Sequence, residues 1–363
     1  ARVERRKLWQ HRMFLSLAGT KADWWAAQRA PRPQRSPLLK VDGKYTSNIA
    51  TLTECVKKEW VDSTFRQPPC TPEEVEAFMA EYGQFIPRSA RAHALPPLDP
   101  MKLKRRVRGT SNLTACGDNG VRYHEMKQLP DPHYVRLTEY LGVVEFVACW
   151  AEAQRTESDV FIPKTGLSDT MARQRPVSLG CVVYRTHGCE RFGALSELQM
   201  ELLPEELYGG IPGRSYDGMV LDVGLSLAET QQDQSPPVST VDVDESRCFC
   251  RFCWALTKAI WQAMGIPEEV IRSTFAYYRP GLKKFFRFAA GTTEPCEPLV
   301  GGLQGDVWSI LMCNTYKAIW IRSLAQFPAV RGVAYVDDAK LLTEAAPQVL
   351  VPAWEHTRRY LRM

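Results

Sequence analysis

Two adjacent aspartates near the end of the chain constrain the fold more than any other feature. Asp337 and Asp338 lie within residues 332–343, where apolar residues on both sides predict two short strands that turn at the pair. Tight turns between strands favour Asn-Gly or Asp-Gly, and neighbouring carboxylates repel each other. A bound divalent cation would remove that repulsion, whereas an exposed acidic turn would leave both carboxylates in solvent. The tetrapeptide alone fits either interpretation.

The preceding residues complete an order of strand, helix, helix and hairpin. Alternation in residues 238–244 predicts a strand that ends at Asp244. Apolar residues at helical spacing predict a helix over residues 249–264 that closes near Gly265, and a second helix over residues 308–322. This order indicates an α+β fold with acidic residues at a strand end and at a hairpin tip.

The order of the acidic residues carries more weight than any one of them. Asp244 and the Asp337 and Asp338 pair come from different strands, and a glycine-rich turn at residues 301–306 lies between them in sequence. Two metal ions about 3.5–4 Å apart, as in-line attack on a phosphoryl group requires, need carboxylates from different strands. Asp242 competes with Asp244 for this role, and we interpret it as a solvent-facing residue of the strand.

The rest of the chain predicts further elements and its divisions. Strands are predicted at residues 160–164 and 175–184, and a helix at residues 219–230. Leu52, Val56 and Trp60 recur at helical spacing, and Thr71 begins a capping box, so the first hundred residues should be mainly helical. Proline-rich stretches mark the candidate boundaries: 29–37, 89–100 and 231–237.

Composition excludes several classes of protein. An apolar fraction of 45% argues against wholesale disorder. No uncharged apolar run reaches the length of about eighteen residues that a membrane helix needs, and the N-terminus lacks a secretory signal, so we expect a soluble, intracellular chain. The 11 cysteines predict reduced thiols rather than a disulfide framework. Cys248, Cys250 and Cys253 form a cluster that suggests zinc, but no second ligand pair follows at zinc-site spacing.

The basic residues are concentrated although the net charge is only +5. Such runs form either a solvated face or a contact surface for nucleic acid. The two runs consist of these residues: Lys102, Lys104, Arg105, Arg106 and Arg108, and Arg2, Arg5, Arg6, Lys7 and Arg12.

Taken in this order, the segments resemble the reverse transcriptases of LINE-type (non-LTR) retrotransposons. Asp244 with Phe249 resembles polymerase motif A, and the Gly-Ile-Pro at 265–267 follows at the distance common in that family. The Tyr-Val-Asp-Asp tetrapeptide at 335–338 resembles motif C. The segments that resemble motif B, the fingers motifs, the segment before motif A and two upstream elements are 302–306 with Ser309 and Asn314, 161–164, 175–179, 210–215, 117–120 and 40–44. The resemblance covers residues 38–345.

The resemblance implies a right-hand polymerase fold in four parts. These are a helical N-terminal extension (1–100), fingers (101–235), palm (236–345) and the start of a truncated region (346–363), with the thumb missing. It also implies an RNA template, a DNA primer, dNTP substrates, two Mg²⁺ ions that Mn²⁺ can replace, no membrane, and possible fusion to an endonuclease. Members of this family act in the nucleus and form cytoplasmic ribonucleoproteins, so the same localisation is expected here.

The resemblance also assigns roles to individual residues. Asp244 and Asp337 would hold the metal ions, with Asp338 third, and Phe249 would exclude a 2′-hydroxyl while packing in the core. Gln304 and Gly305 would contact the incoming nucleotide. Lys164 and Arg175 would neutralise the triphosphate, with a solvated surface charge as the alternative for Lys164. Arg214 would contact template phosphate or cap a turn. The run from Lys102 to Arg108 would bind template RNA.

Two departures from the family pattern and three other interpretations accompany this assignment. Cys250 replaces an aspartate common in relatives, and Trp308 replaces a smaller residue, but neither position is a metal ligand. The chain could instead be a retroelement-derived RNA-binding module without polymerase activity, or an RNA-dependent RNA polymerase. A structural zinc at the cysteine cluster is the third alternative.

Overall fold

The computed structural model of the chain describes residues 39–164, 169–232 and 238–363. Helices and short strands follow one another in a mixed order, as expected for an α+β protein. Within these ranges, no helix is both long and apolar enough to cross a bilayer. The basic residues between positions 2 and 12, the proline-rich stretch 29–37 and residues 233–237 lie outside the described residues.

A short hairpin and three helical segments open the described chain. They are β1 (Leu39–Val41), β2 (Lys44–Thr46), α1 (Ile49–Val56), a π-helical segment (Lys57–Phe65) and α2 (Pro72–Tyr82). Leu52, Val56 and Trp60 are buried together, as their spacing predicts. Thr71 and Glu74 form the predicted capping box at the start of α2. Residues 49–65 and 72–82 are therefore helical as expected, whereas residues 39–46 form a hairpin.

The middle of the chain contributes three helices before the first large sheet and three around and after it. The first three are α3 (Pro100–Gly109), α4 (Tyr123–Lys127) and α5 (Asp131–Val147). The later three are α6 (Val182–Ala194), α7 (Ser196–Leu202) and α8 (Tyr216–Gln232). The helix predicted at 219–230 is confirmed as part of α8.

The larger sheet has four strands in the order β4, β3, β6, β7. They are β3 (Thr156–Pro163), β4 (Gln174–Leu179), β6 (Lys283–Phe288) and β7 (Gly291–Thr292). The central strand β3 runs antiparallel to β4 and parallel to β6. Lys284 on β6 lies 2.9 Å from a carboxylate oxygen of Glu157 and 3.0 Å from one of Asp159, and all three side chains are buried. We call these three residues the buried charge cluster.

The strand predicted over residues 175–184 is wrong beyond Leu179. The chain turns at Gly180 and enters α6, whose Tyr184, His187 and Arg191 are all buried. The β-branched Val182 and Val183 suggested a strand, but strand preference is set mainly by packing, and here the buried positions recur at helical spacing. Tertiary burial therefore overrides the local preference.

The smaller sheet has three strands in the order β5, β9, β8. They are β5 (Ser239–Asp244), β8 (Arg331–Tyr335) and β9 (Asp338–Thr343), all antiparallel to their neighbours. The predicted strand at 238–244 and the predicted hairpin at 332–343 are both confirmed.

Four further helices complete the fold. They are α9 (Trp254–Met264), α10 (Glu268–Tyr277), α11 (Val307–Ser323) and α12 (Leu350–Tyr360). The helix predicted at 308–322 is confirmed as α11, which contacts both α9 and β8. Trp261 and Trp308 are fully buried between these elements. The last helix returns to the start of the described chain, where the Tyr360 ring centroid lies 4.9 Å from that of Tyr82.

Candidate active site

The strand register brings the predicted acidic residues to one end of the smaller sheet. Asp244, the last residue of β5, pairs directly with Asp338, the first residue of β9. Tyr335 pairs with Asp338 on the other side, so Val336 and Asp337 form the turn between β8 and β9. The three carboxylates therefore come from a strand end and an adjoining hairpin tip, as the sequence predicts.

The hairpin tip has an unusual backbone conformation at Val336. Its φ of 56° lies in the left-handed region, which costs a residue with a Cβ roughly 1–2 kcal/mol and is rare for a β-branched one. The neighbouring segment 206–209 holds it there. Tyr208 donates its main-chain N–H to Ala334 O at 2.9 Å, and Ala334 donates to Glu206 O at 2.9 Å. The turn that presents Asp337 is thus stabilised from outside the hairpin.

Gly209 makes this support possible because it lies against the strained turn. A Cβ at Gly209 would lie 2.4 Å from a methyl carbon of Val336 and 2.7 Å from its main-chain nitrogen. Asn314 of α11 donates its side-chain amide to Gly209 O at 2.8 Å. A contiguous path of contacts therefore runs from α11 through Gly209 to the tip that carries Asp337.

The three carboxylates are close enough for their charges to interact. The pKa of Asp338 is raised by partial burial and then by the charges of Asp337 and Asp244, while Lys317 and Lys340 oppose the shift. Burial is the largest single influence on Lys317 and lowers its pKa, but Glu245, with which it forms an ion pair, together with Cys313 and Cys248 raises the pKa above its ordinary value. A buried, charged ammonium therefore lies beside the acidic cluster.

The donor atoms suit a hard divalent cation. Asp244, Asp337 and Asp338 offer only carboxylate oxygens, which Mg²⁺ prefers, and binding a cation would relieve the mutual repulsion that raises the pKa of Asp338. Across the described ranges, no three His, Cys, Asp or Glu side chains are already gathered into a metal cage. The residues fit Mg²⁺ by their chemistry and by their position at one sheet end.

The three thiols of the cysteine cluster each contact a different partner. Cys248 Sγ lies 3.8 Å from Cys313 Sγ, Cys250 accepts a hydrogen bond from Gln304, and Cys253 accepts one from the main chain of Cys70. Because these thiols diverge, they do not form a zinc site among the described residues.

Phe249 does not begin a helix, which corrects the prediction of one from residue 249. It lies in a 3₁₀ turn (Cys248–Arg251), and α9 begins only at Trp254. The carbonyls of Phe249 and Phe252 accept hydrogen bonds from the N–H groups of Gly302 and Gly301, at 2.6 and 2.8 Å, so they are not used in a helix. The predicted end of the helix at Gly265 is confirmed, with φ of 81°.

The glycine-rich loop 301–306 bridges this turn and the larger sheet. On one side its glycines bind the turn that carries Phe249, and on the other Ser178 of β4 donates its N–H to Gln304 O at 3.0 Å. Gly305 has φ of 107°, a conformation that other residues avoid. Phe249, Gln304 and Gly305 are therefore brought together.

Buried tyrosines hold the end of the loop. Asp306 accepts hydrogen bonds from the hydroxyls of Tyr184 and Tyr278, both at 2.9 Å, and Tyr278 Oη accepts the Leu303 N–H at 3.2 Å. Burial raises the pKa of Asp306 to about 6, although these hydroxyls oppose the shift.

The predicted cationic residues fall into two groups. Lys164 and Arg175 are exposed near the end of the hairpin formed by β3 and β4. Lys102, Arg105 and Arg108 are exposed on α3, and Arg106 pairs with Glu190 at 3.3 Å. Lys104 differs because it is buried in an ion pair with Asp131.

Arg214 is used within the protein. Its guanidinium donates to the carbonyls of Pro204, Leu207 and Leu203, the last two at 2.7 and 3.3 Å. These bonds favour the turn-capping interpretation over contact with template phosphate. Arg214 thereby stabilises the segment that leads to Gly209.

No known protein-family model matches this chain, and no curated protein matches its sequence.

Sequence reasoning missed three residues that shape this site. Gly209 immediately precedes the segment 210–215, and its role depends on contact with a turn more than a hundred positions later. Lys317 and Glu245 form the ion pair beside the carboxylates. Lys317 is the one lysine of the predicted helix at 308–322, whose other residues are mostly apolar, and this was the available signal, since buried lysines are rare without a partner.

Proposed function

We propose that this chain is an RNA-directed DNA polymerase, a reverse transcriptase that extends a DNA primer on an RNA template. The observation that carries the proposal is the pairing of Asp244 with Asp338 beside Asp337 at the hairpin tip. Carboxylates from two strands at one point are what two-metal phosphoryl transfer requires. We further propose a right-hand polymerase fold, in which the smaller sheet belongs to the palm and the hairpin of β3 and β4 belongs to the fingers.

Asp244 and Asp337 would hold two Mg²⁺ ions, with Asp338 as a further ligand. When bound, these ions lower the pKa of the primer 3′-hydroxyl and neutralise the triphosphate, and Mn²⁺ can replace them. The protein's own contribution is to hold the carboxylates rigidly. The contacts that run from Asn314 through Gly209 to Val336 support that rigidity.

The nucleotide side of the proposal rests on the glycine-rich loop and the neighbouring turn. Phe249 is partly exposed and is held by Gly302, so its ring can border the sugar of a dNTP. Gln304 and Gly305 lie beside it, where a main chain free of side chains permits close approach. Lys164 and Arg175 would reach the triphosphate from the fingers, Arg175 by bidentate contact.

Template binding is proposed for the exposed cations of α3. Lys102, Arg105 and Arg108 would neutralise phosphates without reading sequence. Arg106 shares its charge with Glu190, and Lys104 supports the helix from inside through Asp131. A nuclear site of action with a cytoplasmic ribonucleoprotein stage belongs to the same proposal.

Primer extension on an RNA template tests the function directly. The purified chain is supplied with dNTPs or rNTPs, in Mg²⁺ or in EDTA, beside an Asp337→Asn variant. We expect extension only when dNTPs and Mg²⁺ are both supplied. We expect the Asp337→Asn variant to lose this extension. Equal use of rNTPs would instead indicate an RNA polymerase, and template binding without extension would indicate an RNA-binding module.

A further inference from the structure

Two cysteines meet where two helices begin. Cys253 is the N-cap residue of α9, and Cys70 immediately precedes Thr71, the N-cap of α2. The main-chain N–H of Cys70 donates a hydrogen bond to Cys253 Sγ at 3.3 Å, across 183 positions of sequence. The tertiary fold thus holds the Cys70 main chain against the Cys253 sulfur.

Both thiols line a cavity that a small molecule can enter. Its volume is about 300 Å³, and Asp244, Arg251 and Lys317 also line it. Cys253 retains 6% of its surface, and Cys70 is partly exposed. Both cysteines therefore border a space that a small polar reagent can occupy.

The surroundings of Cys253 favour its thiolate form. The Cys70 thiol, acting as a hydrogen-bond donor, lowers the pKa of Cys253 to about 6, and the N–H groups of Leu256, Cys70 and Ala255 add to this against the effect of burial. The same interaction, with burial, raises the pKa of Cys70. Cys253 is therefore the nucleophile of the pair and Cys70 is the protonated partner.

We propose that Cys253 and Cys70 form a peroxide-reactive thiol pair that closes to a disulfide. The Cys253 thiolate attacks one oxygen of hydrogen peroxide, the O–O bond breaks, and hydroxide leaves, so that Cys253 becomes a sulfenic acid. The Cys70 sulfur then attacks Cys253 Sγ, and its proton leaves with the displaced hydroxyl as water. Each sulfur is oxidised by one electron and peroxide is reduced by two.

The other close thiol pair provides an internal comparison. Cys248 and Cys313 lie 3.8 Å apart at their sulfurs, and Cys248 borders the same cavity with 8% of its surface exposed, so burial alone does not distinguish the two pairs. The Cys313 thiol and burial raise the pKa of Cys248 well above its ordinary value, which keeps it protonated. Proximity alone therefore does not make a reactive pair, and the two pairs should respond differently to peroxide.

The test uses the full chain, reduced and then treated with stoichiometric hydrogen peroxide. Remaining thiols are alkylated, and a non-reducing digest is analysed by mass spectrometry. A Cys70–Cys253 disulfide, reversed by dithiothreitol, should be the main product. Cys253 should be oxidised at least about tenfold faster than the exposed Cys149, because the thiolate is the reacting species.

Three variants make the result decisive without reference to polymerase activity. Cys253→Ser places a hydroxyl oxygen, a favoured capping group, at the N-cap of α9, so the helix should persist while the disulfide is lost. In Cys70→Ser, oxidation should stop at a sulfenic acid on Cys253, which dimedone traps. Cys149→Ser is the control and should give the wild-type product. Faster oxidation of Cys149, a dominant Cys248–Cys313 link, or no link at all would overturn the proposal.

Discussion

Asp244 lies opposite Asp338, whereas Asp242, two residues earlier on β5, lies opposite Lys340 and forms an ion pair with it. The register thus separates the two acidic residues of one strand. Asp244 faces the like charge of Asp338, where a bound cation would be stabilising. Asp242 is already neutralised by Lys340. This difference identifies which carboxylate is available to a metal ion.

Replacing the carboxylates should separate Asp244 from Asp242. Asp244→Asn and Asp337→Asn should each reduce extension by at least about a thousandfold, because each removes a charge that stabilises phosphoryl transfer. Asp242→Asn should remain close to wild type, since an exposed ion pair contributes at most about 1 kcal/mol. Single-turnover extension measures the effect, with circular dichroism as the folding control. Equal losses at 242 and 244 would show that the wrong aspartate was chosen.

Phe249→Val should relax selection between dNTPs and rNTPs. A ring beside the sugar leaves no volume for a 2′-hydroxyl, so a smaller side chain should admit ribonucleotides. If Phe249 only packs against Phe252, whose ring centroid is 6.1 Å away, both substrates should lose efficiency equally. The ratio of single-turnover efficiencies for dCTP and rCTP distinguishes these results, and Phe252→Val serves as the packing control.

Gly209→Ala should displace the hairpin tip. The added Cβ would meet Val336 at 2.4 Å, and relief of such overpacking typically costs about 1–3 kcal/mol. We expect a lower urea midpoint together with reduced extension. Gly224→Ala is the matched control, because a Cβ there meets nothing within 4 Å on an exposed helical position, and it should not destabilise the fold. Equal urea midpoints and equal extension for the two variants would show that Gly209 does not hold Val336 in place.

The buried charge cluster predicts how stability changes with pH. Burial raises the pKa of Glu157 from 4.5 to about 7, against the charge of Lys284. The folded state therefore holds this proton more tightly than the unfolded state, so its contribution to stability is lost as pH rises from about 4.5 to about 7.

The matched variant for that effect is Glu157→Gln, which mimics the protonated side chain. Its free energy of unfolding relative to wild type should rise by up to about 3 kcal/mol between pH 4.5 and pH 8. Urea unfolding at several pH values measures the difference, and Glu139→Gln on the exposed side of α5 should show no such trend. A constant difference for Glu157→Gln would contradict the assignment.

Removing two exposed cations of α3 should weaken the salt dependence of RNA binding. Lys102→Ala combined with Arg108→Ala should reduce the slope of log affinity against log salt by about 1.4, because each lost phosphate contact on single-stranded RNA removes about 0.7 from the slope. Lys57→Ala with Lys58→Ala removes the same charge from another exposed segment and should leave the slope unchanged. Equal slopes for both double variants would mean that the α3 cations are a solvated surface.

Local patterns predicted the elements of the smaller sheet well. Alternation identified β5, and the paired aspartates identified the hairpin of β8 and β9, because strand signals and turn signals are both contained within a few residues. The same locality explains the success at Thr71 and Gly265, whose capping roles depend on adjacent backbone. The candidate carboxylates could therefore be chosen from sequence.

Features that depend on distant contacts could not be predicted in this way. Phe249 has helical spacing, yet its carbonyl accepts a hydrogen bond from Gly302, a loop glycine about fifty positions later. Lys104 lies in a basic run, yet its partner Asp131 belongs to the next long helix. In each case a tertiary partner decides the outcome, and a single sequence does not reveal which residues meet.

Because β3 pairs with β6 as well as with β4, the two edges of β3 are expected to become paired at different times during folding. β3 can pair with β4 soon after both are synthesised, but its other edge waits for residues 283–288. Until then Glu157 and Asp159 lack the ammonium that neutralises them, and the strand edge stays open to water. Because closing so long a loop is slow, completion of this sheet should limit the refolding rate. A nascent chain released before Lys284 emerges would carry an unpaired edge, the kind of surface on which chains associate.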